Sequence, residues 1–176
     1  MLVDELPRSL VIYPDPRLRQ KCAPIRPEEF DASLPGLARR MLEIMHAQRG
    51  VGLAGPQVGI ARRIFVCNPT GEPADDRVYV NPVLSELTGA VEGEEGCLSI
   101  PEVRVMVRRA RSCRVAGFDV TGRPIEERAE ELLARIWQHE TDHLDGRLII
   151  DRMTPADRIA TKKQLAQLEA AFRKRR

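Results

Sequence analysis

The sequence predicts an α+β fold, with mostly antiparallel sheets packed around a central metal-binding helix and a further helix at the C-terminus. Three observations lead there. Helical periodicity is confined to three segments, near 36–49, 129–145 and after Thr154. Strand-like segments rich in Val, Ile and Arg crowd the middle of the chain. Strands and helices do not alternate, which disfavours a doubly wound sheet. A length of 176 residues suits one domain spanning 1–176.

Taken in order, residues 11–27 carry Pro14, Pro16, Pro24 and Pro27, so that stretch is expected to be extended and irregular. In 36–49, Leu37, Met41 and Met45 recur every four residues and Gly50 ends the pattern. Four glycines and a proline between Gly50 and Gly59 argue against a regular helix and for a shaped loop. Residues 63–67 and 78–84 read as strands. The alternating Val and Arg of 104–120, followed by Thr121-Gly122-Arg123-Pro124, read as a strand and hairpin. The second helix is expected over about 129–145 with Gly146 as its terminator. Residues 147–151 suggest a short strand. Thr154, Pro155 and Asp157 start the third helix as cap, first position and first-turn acid.

Composition narrows the function classes. Hydrophobic residues at 43% with charged residues at 31% describe a globular chain, not a disordered one. A net charge of +2 is too small to argue for a nucleic-acid partner across the surface, so no specific DNA binding is expected. No apolar run approaches the roughly 20 residues a membrane span needs. Met1–Leu6 carries no basic and apolar leader pattern, which favours the cytoplasm. Cys22, Cys67, Cys97 and Cys113 form no Cys-x-x-Cys pair and read as thiols or metal ligands.

The chemistry concentrates in His139-Glu140-Thr141-Asp142-His143. On a helix, positions i and i+4 share a face, so His139 and His143 can grip one metal ion while Glu140 stands beside it and moves protons. Leu132, Ile136, His139 and His143 continue one stripe, expected to be apolar and buried. Coincidence is the alternative, but the chain has only three histidines and two of them fall at this spacing. A catalytic site of this kind needs a third ligand. The position where a metzincin-like protease has its third His holds Ile149, and the region where a thermolysin-like enzyme has its Glu holds Lys162 and Lys163. His46 and the cysteines remain. Cys97 stands out among them for its setting in Glu94-Glu95-Gly96-Cys97-Leu98-Ser99, where Gly96 lets the backbone bend.

Three motifs in order resemble the peptide deformylase family: Gly50-Val51-Gly52-Leu53-Ala54-Gly55-Pro56-Gln57, Glu95-Gly96-Cys97-Leu98-Ser99 and Gln138-His139-Glu140-Thr141-Asp142-His143-Leu144. The Pro14-Asp15-Pro16-Arg17-Leu18-Arg19 segment and the C-terminal helix also look like that family. One departure is Gly55, where the family usually has Ala. The resemblance implies one divalent metal ion on Cys97, His139 and His143. That ion is typically Fe(II), replaceable by Zn, Ni or Co. It also implies Glu140 as acid/base, with the Gln57 amide and the Leu98 backbone N–H stabilising an oxyanion. The implied substrate is an N-formylmethionyl peptide, split into formate and a free N-terminus.

Such a peptide is expected to lie extended against Val51-Gly52 and Glu95-Gly96, adding like a strand. Leu132 and Ile136 are candidate walls for the methionine side chain, and Arg104 is a candidate peptide contact. Lys162, Lys163 and the cluster from Arg173 to Arg176 form either a solvated helix end or a docking face for the ribosome. A metalloprotease would not need Cys97. A catalytically dead relative would not keep both Glu140 and Gln57.

Overall fold

The computed structural model describes Pro7 and residues 9–174. The readings of Met1–Leu6 and of Arg175 and Arg176 lie outside the described residues. Among the described residues, seven strands form two sheets, and each strand pair is antiparallel. The larger sheet has the order β1 (Gly52–Ala54), β2 (Ile64–Cys67), β3 (Arg77–Thr88), β6 (Ser112–Phe118), β7 (Pro124–Glu130). The smaller pairs β4 (Val91–Cys97) with β5 (Ile100–Arg109).

Period-2 alternation explains how the larger sheet holds a helix on each face. In β1 and β2, Leu53, Ile64 and Val66 join Leu37, Met41 and Met45 of helix α1 (Ser33–Ala47) in one cluster. Their alternates Ala54, Phe65 and Cys67 join Ala134, Ile136 and Trp137 of helix α2 (Glu131–Leu144) in another. The metal-motif helix is thus laid across the sheet. Tyr79 meets Trp137 edge-on at 5.5 Å. The smaller sheet buries Val103, Val105 and Val107 beneath the 148–150 segment and helix α4 (Lys162–Arg173).

Several local expectations are corrected. The glycine-rich segment is more than a loop, since it contributes β1 and then a 3-10 turn over Gly55–Val58. Pro16–Arg19 and Pro27–Glu29 form 3-10 turns inside the irregular N-terminal stretch. Residues 129 and 130 belong to β7, so α2 begins at Glu131. The expected strand at 147–151 is a 3-10 turn, because Asp151 accepts a hydrogen bond from the Leu148 N–H at 2.8 Å and curls the chain. Its apolar run reflects burial, not pairing. The third helix starts as expected, with Thr154 accepting from the Asp157 N–H. It breaks at Thr161, whose hydroxyl donates to the Asp157 carbonyl at 2.7 Å, so α3 (Pro155–Ala160) and α4 are separate. Among the described residues, no helix is long and apolar enough to cross a membrane.

Candidate metal centre

Helix α2, the end of β4 and the turn after β1 converge on one point. Cys97 Sγ and one ring nitrogen each of His139 and His143 lie within 4.8 Å of one another. Cys97 Sγ is 3.3 Å from His143 Nε2. The two imidazole rings, one turn apart, meet edge-on at 5.0 Å. One thiol and two imidazoles at this separation are a donor set suited to a divalent ion of borderline softness. His46 is far from this group in role: it sits on the surface of α1 with its Nε2 2.7 Å from Asp76 Oδ1. Cys22, Cys67 and Cys113 are buried core thiols. Burial pushes them up to about 11, about 12 and about 11 respectively, far from ready ionisation.

The surroundings orient the donors. Glu95 Oε2 lies 2.9 Å from His139 Nδ1, which leaves the other ring nitrogen of His139 for a metal. Glu95 in turn accepts from Arg109 Nε and Nη2 at 2.9 Å each and from Arg135 Nη1 at 2.7 Å. Arg109 also donates to Asp142, which Arg152 grips from the other side. Burial works against the Glu95 charge, but its bonds from Arg109 and with His139 outweigh that and hold its carboxyl well below the usual range. The expected peptide contact at Glu95-Gly96 is through the backbone, and the Glu95 side chain has this separate role. That side chain is 4% exposed and fully engaged, so only its backbone is available.

Glu140 is buried against β1, and Gly52 is the reason it fits. A Cβ on Gly52 would lie 2.2 Å from Glu140 Oε1. Burial pushes the Glu140 carboxyl up to about 7. Gln57 is equally buried. Its Oε1 accepts from the Ala54 N–H at 2.8 Å, closing the turn, and its Nε2 faces Cys97 Sγ at 3.5 Å and Ser99 Oγ at 3.2 Å. The loop-organising and site-facing readings of Gln57 therefore belong to opposite ends of one amide. Gly55 is required sterically, since a Cβ there would lie 2.6 Å and 2.7 Å from the carbonyl oxygens of Ile60 and Arg62.

A cavity of about 690 Å³ opens over this floor. Val51, Gly52, Gln57, Gly96, Leu98, Arg104, Leu132 and Ile136 all line it, together with Cys97, His139 and Glu140. It lies between β1, an outer strand of the larger sheet, and β4, which pairs only with β5. Two expectations change in detail. Leu132 is 49% exposed, because the first turn of α2 projects past the sheet; Ile136, one turn on, is 4% exposed. Arg104 points to solvent with Glu94 at 3.6 Å.

Sequence reasoning missed Arg109 and Arg135, which hold Glu95. The one local signal for Arg109 was its partner Asp142, the acid inside the His-Glu-Thr-Asp-His motif.

Comparison with known proteins agrees with this geometry. The family model described as polypeptide deformylase matches residues 7–159. A peptide deformylase of Alkalilimnicola ehrlichii is 41% identical over 161 residues, covering 91% of this chain and 89% of its own. One from Thermotoga maritima is 40% identical over 158 residues, covering 89% and 93%. A crystal structure of a plant peptide deformylase superposes with a TM-score of 0.93 at 38% identity, covering 98% of this chain and 95% of that one. A Plasmodium falciparum peptide deformylase gives 0.90 at 33%, covering 94% and 97%. The chain, with its Cys, His and His donors at the floor of a cleft between two strand edges, belongs to the polypeptide deformylase family.

Proposed function

We infer that this protein is a metal-dependent peptide deformylase, hydrolysing the N-terminal formyl group of formylmethionyl peptides to give formate and a free amine. The observation that carries this reading is the convergence of Cys97, His139 and His143 within 4.8 Å, with Glu140 beside them, at the floor of an open cleft. A divalent ion held by these three residues would supply Lewis acidity, lowering the pKa of water so that it can give up a proton and act as a nucleophile near neutral pH. Fe(II) is the proposed native ion, with Zn, Ni and Co as substitutes.

The chain's own groups do the rest. Glu140 takes a proton from the attacking water onto a carboxylate oxygen and delivers it to the leaving amine nitrogen. Gln57 Nε2, held only by long contacts to Cys97 and Ser99, donates to the oxygen of the formyl group as charge gathers there, and the Leu98 backbone N–H is the second donor. Glu95 and Arg109 keep His139 in one orientation. The peptide backbone lies extended between Val51-Gly52 of one strand edge and Glu95-Gly96 of the other, and the methionine side chain enters beside Ile136 and Leu132. Arg104 reaches the outer part of the peptide. The whole chain acts as one catalytic domain in the cytoplasm. Lys162, Lys163 and Arg173 of α4, with Lys174 just after it, are a candidate face for the ribosome.

Release of formate from formyl-Met-Ala-Ser by anaerobically purified, Fe(II)-loaded protein tests the assignment. Hydrolysis is expected from the wild type and not from Glu140→Ala with metal still bound. A folded, metal-loaded wild type that releases no formate would overturn the reading.

A further inference from the structure

Among the charged side chains on the rim of the cavity, Arg49 and Glu102 both take left-handed backbone positions that disfavour them, and Arg49 is the cation of the two. Helix α1 ends with paired bonds, Gly50 N–H to Met45 O and Arg49 N–H to His46 O, both 2.9 Å. This arrangement needs a left-handed residue just past the helix, where glycine is the usual occupant. Arg49 takes it with φ 55, at the steric cost that any side chain meets there. Its side chain is exposed, and no ion pair or side-chain hydrogen bond holds it among the described residues. From Gln48 to Gly52, that wall of the cavity carries no other charge. On the opposite wall Arg104 already has Glu94 at 3.6 Å. An unpaired cation kept in a disfavoured conformation at the mouth of a peptide cleft is a strained residue of the kind found at ligand-binding sites.

We infer that Arg49 is a specificity-determining residue, favouring formylated peptides with an Asp or Glu side chain at the second or third position. This rests on the deformylase reading. Arg49 precedes by three residues the Gly52 that touches Glu140. Both line the same cavity, and Gly50 and Val51 separate Arg49 from the Glu140 end of that wall, so it faces the part of an extended peptide beyond its first residue. The contact is remote from the chemistry, so it acts on KM and not on kcat. It is also exposed, so salt weakens it.

The test uses C-terminally amidated formyl-Met-Ala-Ser, formyl-Met-Ala-Glu and formyl-Met-Ala-Lys, with the corresponding second-position peptides formyl-Met-Glu-Ser and formyl-Met-Lys-Ser. Wild type is expected to prefer Glu to Lys by about fivefold in kcat/KM at low salt at one of the two positions, in line with an exposed ion pair. Arg49→Gly is expected to remove that ratio while raising Tm, since the left-handed strain is relieved. Arg49→Glu is expected to invert it. Hydrolysis of the neutral peptide without a charge preference at either position, or an unchanged preference in Arg49→Glu, overturns this inference alone. No hydrolysis of any of the peptides removes the deformylase reading and this inference together.

Discussion

Replacing Gly52 by alanine asks whether Glu140 works only from the position the fold gives it. The added Cβ would lie 2.2 Å from Glu140 Oε1, 2.8 Å from Cδ and 3.1 Å from Cγ. Ordinary non-bonded carbon–oxygen contacts are a little over 3 Å, so the carboxylate must retreat by about 1 Å. It is the end of a flexible side chain, so β1 itself need not move, and alanine costs a strand no backbone entropy relative to glycine. Stability should therefore hold while geometry suffers. A displacement of about 1 Å in a catalytic group costs on the order of 10²-fold in rate, within the 10²–10⁴-fold that general acid–base catalysis contributes. The assay is kcat for formate release from formyl-Met-Ala-Ser, read beside Tm and metal content. The expected result is a fall of about 10²-fold in kcat, with one metal per chain and little change in Tm. A metal-loaded variant within about twofold of wild-type kcat would refute the claim that Glu140 depends on the space Gly52 leaves.

Gly55→Ala restores the residue usual in the family, yet here its Cβ meets two backbone carbonyls at 2.6 and 2.7 Å. The expected cost is about 1–3 kcal/mol in urea unfolding, as for other overpacked sites, and an unchanged midpoint would show that the turn relaxes freely. Arg109→Met strips a 2%-exposed guanidinium from Glu95 and Asp142, leaving those carboxylates only Arg135 and Arg152 as cationic partners. A loss of about 3–5 kcal/mol is expected, with weaker metal retention because Glu95, the partner of His139, is held less firmly; wild-type stability in the variant would argue that the network is not tightly coupled. In metal-free protein, Glu140 binds its proton more tightly folded, up to about 7, than unfolded near 4.5. Its contribution is fully present below about pH 4.5 and lost as pH rises through about 7. Over that interval the wild type should lose about 3 kcal/mol relative to Glu140→Gln, and parallel stability curves for the two proteins would contradict the assignment.

The readings that survived folding unchanged are those that depend on one element's geometry. His139 and His143 share a face because any α-helix repeats every 3.6 residues, and Thr154 caps α3 because its hydroxyl reaches the N–H of Asp157, three residues on, at 3.1 Å. Leu132 was assigned to the buried stripe on the same periodicity. The stripe holds from Ile136 onward, but periodicity does not say where along its length a helix leaves the sheet that covers it. The run at 147–151 has a strand-like composition because it is buried on all sides, and the Asp151 side chain settled its shape.

What the sequence by itself determined about this protein is therefore the donor types, the spacing of the two histidines, the acid beside them and the glycine-rich segment that approaches them. Residue chemistry and short-range backbone geometry suffice for those. Only the tertiary structure decided that Cys97, and not His46, stands with the histidines. It also decided that the Glu95 side chain supports His139, and that Arg109 links Glu95 to Asp142. Those relations join a hairpin to a helix far away in the chain. Burial in the core, which makes an isolated charge costly and a matched one stable, selects the partners that local sequence cannot name.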